Sequence, residues 1–295
     1  MYRTQNIAFH WYTARLFAVF PQKNDGVDQM RKIRLVVSDL DGTLLDESHE
    51  LSSELMERIR RYTAQGGLFT IATGRNWYAT KRIVEQASIH VPVILCNGAV
   101  LADPSAIYYE SGLATDIMAD LLIEAGKSGI AVLLFEHDNV FGFGSEQGIN
   151  RFCDKEKVSC EVIPARKEDL LRVKALKVVL VGPYESSLSL WQEHRMDVSG
   201  QIGFIRSEED FFEIVKKGEN KGVAMLKLAE RLGITKDEIL AIGNHMNDKE
   251  MLMEAGIGVA VSNSYPELMD YADFVCEYGW DKGVIEALDR FCGVR

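Results

Sequence analysis

Asp39-Leu40-Asp41-Gly42-Thr43-Leu44 is the stretch on which the reading of this chain turns. It follows an apolar run, Ile33 to Val37, broken only by Arg34, that reads as a buried strand. Two carboxylates two positions apart at a strand end suit a site that combines a metal, a nucleophile and a proton donor. The glycine that follows permits a sharp turn. Strands of parallel sheets present functional groups in this way, at their carboxyl ends. An EF-hand loop also begins Asp-x-Asp, but it requires glycine at its sixth position, where Leu44 stands. A turn built on loop aspartates is the remaining alternative for the pair taken alone.

The 295 residues suffice for a sizeable core and two domains. Hydrophobic residues make up 47% and charged residues 26%, the balance of an ordinary globular chain. The formal net charge of −11 disfavours nucleic acid as a partner, because phosphate backbones select basic faces. A small phosphorylated ligand remains compatible, since one local cation and a metal can hold it. The five cysteines are scattered, with no C-x-x-C pair, so reduced thiols in a cytoplasmic protein are expected. No apolar run approaches the roughly 18 residues of a membrane span, so no membrane partner is expected. Residues 1–30 read as an extension, disordered or lying upstream of a natural start at Met30-Arg31-Lys32.

From Arg31 onward strands and helices alternate. Ile33 to Ser38, Leu68 to Ala72 and Val91 to Cys96 read as strands, with helices over Ser52 to Gln65 and Asn76 to Ser88. The rhythm returns with a helix at Lys221 to Leu232, a strand at Ile239 to Ile242, a helix at Asp248 to Ala255 and a strand at Ile257 to Val261. Such order predicts an α/β fold with a doubly wound, mainly parallel Rossmann-like sheet. Between the halves the pattern changes. A hairpin around Asp138-Asn139, helices at Ile117 to Ser128, Lys167 to Val173 and Leu188 to Met196, and strands at Ala175 to Val181 and Gln201 to Ile205 read as an inserted α+β domain. The expected division is 31–112 for the first core part, 113–209 for the insert and 210–295 for the second core part. Hinges are expected near Glu110 to Leu113 and Ser207 to Phe211.

Five segments together resemble the haloacid dehalogenase superfamily, in its Cof-type phosphatase branch (subclass IIB, with a C2 cap). The Asp39 to Leu44 stretch resembles the first motif, and Ala72-Thr73-Gly74-Arg75 the second. Leu95-Cys96-Asn97-Gly98-Ala99 resembles the branch's Asn-Gly-Ala segment, Lys221-Gly222 the third motif, and Gly243-Asn244-His245-Met246-Asn247-Asp248 the fourth. Each later motif alone is weak. Their order and their placement at strand ends make the set specific, and the insert has the size and position of the branch's cap.

The resemblance implies a magnesium-dependent phosphatase acting on a small phosphorylated metabolite, a sugar phosphate foremost. A phosphate monoester repels nucleophiles, so its hydrolysis needs charge neutralisation and an in-line attacker. A carboxylate can serve by forming an aspartyl-phosphate, which splits one hard step into two. Asp39 takes that role, and Asp41 protonates the leaving oxygen and then deprotonates water. Thr73 and Lys221 complete the catalytic set. Leu40, Gly74, Arg75, Asn97 and Asn247 are the candidate substrate-binding positions. Asp39, Asp41, Asn244 and Asp248 are the candidate magnesium ligands, Asp41 through its carbonyl and Asp248 either through water or by orienting Lys221.

Asn244 departs from the family pattern, which has an aspartate there. Magnesium prefers hard oxygen ligands, usually including carboxylates. An amide oxygen still coordinates but removes one negative charge, so a functional site of weakened magnesium affinity is expected. A phosphomutase of the same superfamily and a non-catalytic phospholigand-binding protein are the competing readings. A monomer or homodimer is expected.

Overall fold

The computed structural model describes residues 32–196 and 200–294; the expected extension over 1–30 lies outside the described residues. In chain order the first strands are β1 (Leu35–Ser38), β2 (Leu68–Ile71), β3 (Val93–Leu95), β4 (Val100–Asp103) and β5 (Ala106–Glu110). Then follow β6 (Ala131–Phe135), β7 (Val140–Gly144), β8 (Glu161–Val162), β9 (Lys177–Val181), β10 (Ile202–Glu208) and β11 (Phe211–Lys216). The last are β12 (Ile239–Gly243), β13 (Ile257–Ala260) and β14 (Phe274–Val275). The helices are α1 (Ser53–Ala64), α2 (Trp77–Gln86), α3 (Ala119–Lys127), α4 (Glu146–Glu156) and α5 (Lys167–Leu170). They continue as α6 (Tyr184–Glu193), α7 (Lys221–Leu232), α8 (Lys249–Glu254), α9 (Pro266–Met269) and α10 (Trp280–Phe291).

The main sheet has the order β14-β13-β12-β1-β2, and every pairing in it is parallel. All four residues of β1 are buried, because the strand sits inside a sheet covered on both faces. Its side chains alternate between those faces. Leu35 and Val37 pack with Ala224, Met225 and Leu228 of α7. Val36 packs with Leu55 and Ile59 of α1 and with Val284 and Leu288 of α10. This is the doubly wound arrangement that the alternating sequence predicts. Ser52 starts α1, its hydroxyl oxygen accepting the Leu55 N–H at 3.2 Å. Leu55, Ile59 and Tyr62 then form one buried stripe, each side chain contributing roughly 1.5–3 kcal/mol by leaving water.

The third expected strand behaves differently. β3 meets the end of β2 only through a parallel bridge between Ala72 and Ile94. It then pairs antiparallel with β4, which pairs with β5. Cys96 and Asn97 take φ of 50° and 56°, and this left-handed turn folds the chain back on itself.

The inserted region forms a six-stranded sheet of order β10-β11-β9-β6-β7-β8. One face is covered by α3 and α6, with Leu121, Leu122, Leu190 and Trp191 in its core. The other face carries Phe135, Phe152, Val179 and Phe211, joined by Ala79 of α2 from the main-sheet half. This sheet extends beyond the expected boundary at 209, because β11 pairs with β9 as far as Ile214 and with β10 to Lys216. The acidic stretch taken as a hinge near Ser207 to Phe211 contains instead the turn between β10 and β11. The return to the main sheet runs through 217–220, directly ahead of α7. The two lobes touch through main-chain bonds, with the Trp77 N–H donating to the His137 carbonyl at 3.1 Å.

Candidate active site

The parallel register sets β1 beside β12, with Ser38 opposite Ile242. Asp39 and the Gly243-Asn244 turn therefore leave the sheet side by side. The Asp39 N–H donates to the Ile242 carbonyl at 2.8 Å, which fixes the start of the loop. Lys221, the first residue of α7, inserts its ammonium between two carboxylates. Its Nζ lies 2.6 Å from Asp39 Oδ1 and 2.7 Å from Asp248 Oδ1. The Asn220 side chain caps α7 by accepting the Val223 N–H at 2.8 Å, which sets where that first residue falls.

Asp248 is fully buried and fully engaged. Its Oδ2 accepts the N–H groups of Asn244 at 2.9 Å and His245 at 3.0 Å. It thus holds Lys221 and the fourth-motif loop together. Both of its oxygens are committed inside the protein, which favours the orienting role over direct metal ligation. The trio carries one positive and two negative charges out of water. Burial, and then the Asp248 carboxylate, push the Asp39 carboxyl up to about 7 against the opposing pull of Lys221. Burial works to lower the pKa of Lys221, but Asp248 and Asp39 outweigh it and hold the ammonium above its ordinary value.

Asp41 lies at the rim, held by the Arg75 guanidinium at both oxygens, with Nε–Oδ2 at 2.9 Å and Nη2–Oδ1 at 2.5 Å. Such a two-point clamp fixes a carboxylate plane as well as its position. Thr73 is buried, and its Oγ1 accepts the Arg75 N–H at 3.1 Å. Gly42 turns the first-motif loop at φ 76°. A Cβ there would sit 2.3 Å from Asn244 Nδ2, so only glycine lets the Asn244 amide lie against the loop. The Thr43 hydroxyl donates to Asn244 Oδ1 at 3.1 Å.

These groups line a cavity of about 240 Å³ between the strand ends and the inserted lobe. From the main-sheet side come Asp39, Asp41, Thr73, Gly74, Arg75, Asn244 and Asn247. The Leu40 side chain lies in the hydrophobic core, so only its backbone can meet a ligand. Asn97 sits behind the wall, accepting from Asn247 Nδ2 at 3.1 Å and donating to Glu213 Oε2 at 3.0 Å. Asn97 and Asn247 also border a second cleft, of about 560 Å³.

Sequence reasoning missed the opposite wall. Phe152 and Glu156 of α4, Lys177 of β9, and Phe211 and Glu213 of β11 close the cavity from the inserted lobe. Lys177 and Glu213 pair at 3.0 Å while both are buried. Burial acts to lower the Lys177 pKa, and the Glu213 carboxylate more than offsets it. No motif spacing marks these residues. The available signal was a charge inside a strand that is otherwise apolar, as in Phe211-Phe212-Glu213-Ile214-Val215.

Among the described residues no three acidic, histidine or cysteine groups converge as a metal cluster. The donors available at the strand ends are Asp39 Oδ2, the Asp41 carbonyl and the Asn244 amide oxygen. All are hard oxygens, and the Asn244 oxygen, which accepts from the Thr43 hydroxyl at 3.1 Å, keeps a second lone pair. That set fits magnesium, which keeps several waters and needs few protein ligands, with less charge than a site holding three aspartates.

The sequence family described as haloacid dehalogenase-like hydrolase matches residues 36–288. The Bacillus subtilis protein YxeH, provisionally named a phosphatase, is 27% identical over 263 residues, covering 86% of this chain and 97% of that protein. The HMP-PP phosphatase of Yersinia enterocolitica is 25% identical over 242 residues, covering 80% and 86%. The crystal structure of a haloacid dehalogenase-like hydrolase from Bacteroides thetaiotaomicron superposes with a TM-score of 0.78 at 26% identity, covering 88% of this chain and 99% of that one. No helix among the described residues is long and apolar enough to cross a membrane. With its family match, its phosphatase relatives and its parallel α/β sheet, the chain belongs to the haloacid dehalogenase-like hydrolases, as a phosphoric monoester hydrolase.

Proposed function

We propose that this phosphatase hydrolyses a small phosphorylated metabolite, a sugar phosphate foremost, through an aspartyl-phosphate on Asp39. The observation that carries the proposal is the buried Lys221 clamp, which holds one oxygen of Asp39 at 2.6 Å while Asp39 lines a small cavity. A volume of about 240 Å³ falls below the roughly 300–1,000 Å³ of pockets for drug-sized ligands. That supports a leaving group the size of a sugar or polyol.

In the proposed sequence, Asp39 Oδ2 attacks phosphorus as the ester P–O bond breaks. Asp41 takes up a proton from solvent once an arriving phosphoryl oxygen draws Arg75 off one of its oxygens, and hands that proton to the leaving oxygen. Asp41, now a carboxylate, removes a proton from water as that water attacks the aspartyl-phosphate, releasing inorganic phosphate and restoring Asp39. Arg75 holds Asp41 in place beforehand. A phosphoryl oxygen arriving beside Thr73 competes for the same guanidinium and frees an Asp41 oxygen for proton transfer. Asp248 keeps Lys221 fixed so that its charge is spent on Asp39 and not on solvent. Magnesium, when bound, neutralises charge shared by the nucleophile and the phosphoryl group. Asp39, the Asp41 carbonyl and Asn244 are the residues that would hold it.

A screen of sugar, nucleotide and cofactor phosphates tests the proposal, with Asp39→Asn as the blank. Inorganic phosphate released without an isomerised product is the expected result. An isomerised sugar phosphate would point to a mutase. Ligand binding without turnover across the panel would point to a phospholigand-binding protein.

Asn244→Asp should tighten magnesium binding. An ion that binds only the folded state raises Tm with concentration, so a magnesium titration followed by thermal unfolding reads the site without an activity assay. The midpoint should move to at least about tenfold lower magnesium in Asn244→Asp, the worth of one charge-assisted ligand. Identical midpoints would remove position 244 from the ligand set.

A further inference from the structure

We infer that the Lys177–Glu213 pair is the specificity-determining element of this phosphatase, reading an uncharged, hydroxyl-bearing leaving group and rejecting one that carries a second phosphate. The inference rests on the phosphatase reading above and concerns the wall facing the nucleophile.

Both side chains are buried and line the cavity, and Lys177 has unused bonding capacity. A lysine ammonium has three donors. Lys177 spends one on Glu213 Oε2 at 3.0 Å and lies 4.7 Å from the centre of the Phe135 ring. Glu213 Oε2 accepts from both Lys177 and Asn97. Across the same cavity, on the main-sheet side, Asn247 Oδ1 is buried without a hydrogen-bond partner. The cavity thus offers spare donors on the inserted-lobe wall and a spare acceptor on the facing side.

Buried groups of this kind are costly unless bonded. A hydroxyl both donates and accepts, so two or three hydroxyls satisfy this mixed set, whereas an anion satisfies only the donors. Charge points the same way. Glu213 stands against Lys177, and the Glu156 carboxylate lies within electrostatic reach of both Lys177 and Arg75. Lys177 is already paired with Glu213, so a second phosphate would meet two carboxylates in a confined space. Phe152 and Phe211, with ring centroids 5.2 Å apart, supply an apolar surface for the carbon skeleton of such a leaving group.

The test compares three substrate types on the full-length enzyme: hexose 6-phosphates, the corresponding hexose 1,6-bisphosphates, and acetyl phosphate, whose leaving group is too small to reach the wall. Wild type should favour the best monophosphate over its bisphosphate by about 100-fold or more in kcat/KM. In Glu213→Gln that preference should shrink at least about tenfold. In the double variant Lys177→Met with Glu213→Gln, which leaves no buried charge unpaired, the ratio of kcat/KM for the monophosphate to that for acetyl phosphate should fall at least about tenfold. A bisphosphate hydrolysed as well as the monophosphate by wild type overturns the inference. So does a monophosphate-to-acetyl-phosphate ratio unchanged in the double variant, whether or not both rates fall. Wild type inert toward acetyl phosphate and every sugar phosphate defeats the phosphatase reading itself, and the inference with it.

Discussion

Asp39→Asn should lower kcat by about 10⁴-fold or more, the scale on which loss of a catalytic nucleophile is felt, while Tm stays level or rises. The first half follows from position. Asp39 is the carboxylate that combines burial, a fixed ammonium at 2.6 Å and access to the cavity. An amide in its place keeps the size and the acceptor for Lys221 but cannot form the acyl phosphate. The second half follows from charge. Two buried carboxylates share one ammonium, and burial together with Asp248 already disfavours the ionised form of Asp39. Removing one of the two negative charges leaves Lys221 and Asp248 as a balanced pair at 2.7 Å. Single-turnover kinetics and thermal unfolding on the same preparation check both halves. Turnover retained in Asp39→Asn would end the covalent mechanism.

Lys221→Met should do the opposite to stability. It leaves Asp39 and Asp248 facing each other across a fully buried space with no cation between them. Breaking a buried pair by deleting one partner costs about 3–5 kcal/mol, which for a chain of this size lowers Tm on the order of 10 °C. Activity should vanish as well. The contrast between the two variants is the informative part. Both are inactive, but one is as stable as wild type and the other is not, because one removes a surplus charge and the other strands two. Denaturant titration of the two proteins side by side measures it. Equal stability would mean that Asp248 is held mainly by the Asn244 and His245 N–H groups and that Lys221 adds little.

The first-motif strand and the parallel sheet were legible in the sequence because they rest on local rules. β1 is an apolar run ending at a turn, and α1 is a capped amphipathic helix. Asp39, Thr73, Lys221 and Asp248 were legible because each stands at a fixed offset from a strand end or helix start. That Asp248 orients Lys221 was one of two readings the sequence left open, and the three-way contact itself was out of its reach, since its bonds span 182 and 27 residues. The wall from the inserted lobe escaped for a different reason. α4 reads as polar, with apolar positions thinly spread and Gly148 in its first turn. In the fold that glycine is a contact surface, since a Cβ on it would lie 2.8 Å from Ala131 Cβ. A residue that looks like a helix breaker is what lets the helix bring Phe152 and Glu156 down onto the sheet. β11 was likewise displaced by a misread hinge, because an acidic turn and a linker have the same composition.

The pairing of β1 with β12 bears on how the molecule comes into being. Leu35 lies opposite Ile239, so the central strand of the main sheet receives one of its two neighbours only after most of the chain has been made. The six-stranded sheet is drawn wholly from Ala131 to Lys216 and meets no such delay. During synthesis all six strands of the insert are made before β12 exists, so that sheet can pair while β1 still has an open edge. Long-range parallel pairing is slow, and an unpaired edge invites aggregation. An open edge in the nascent chain thus lies in the strand that leads to Asp39, the proposed nucleophile, whose Lys221 partner is made 182 residues later.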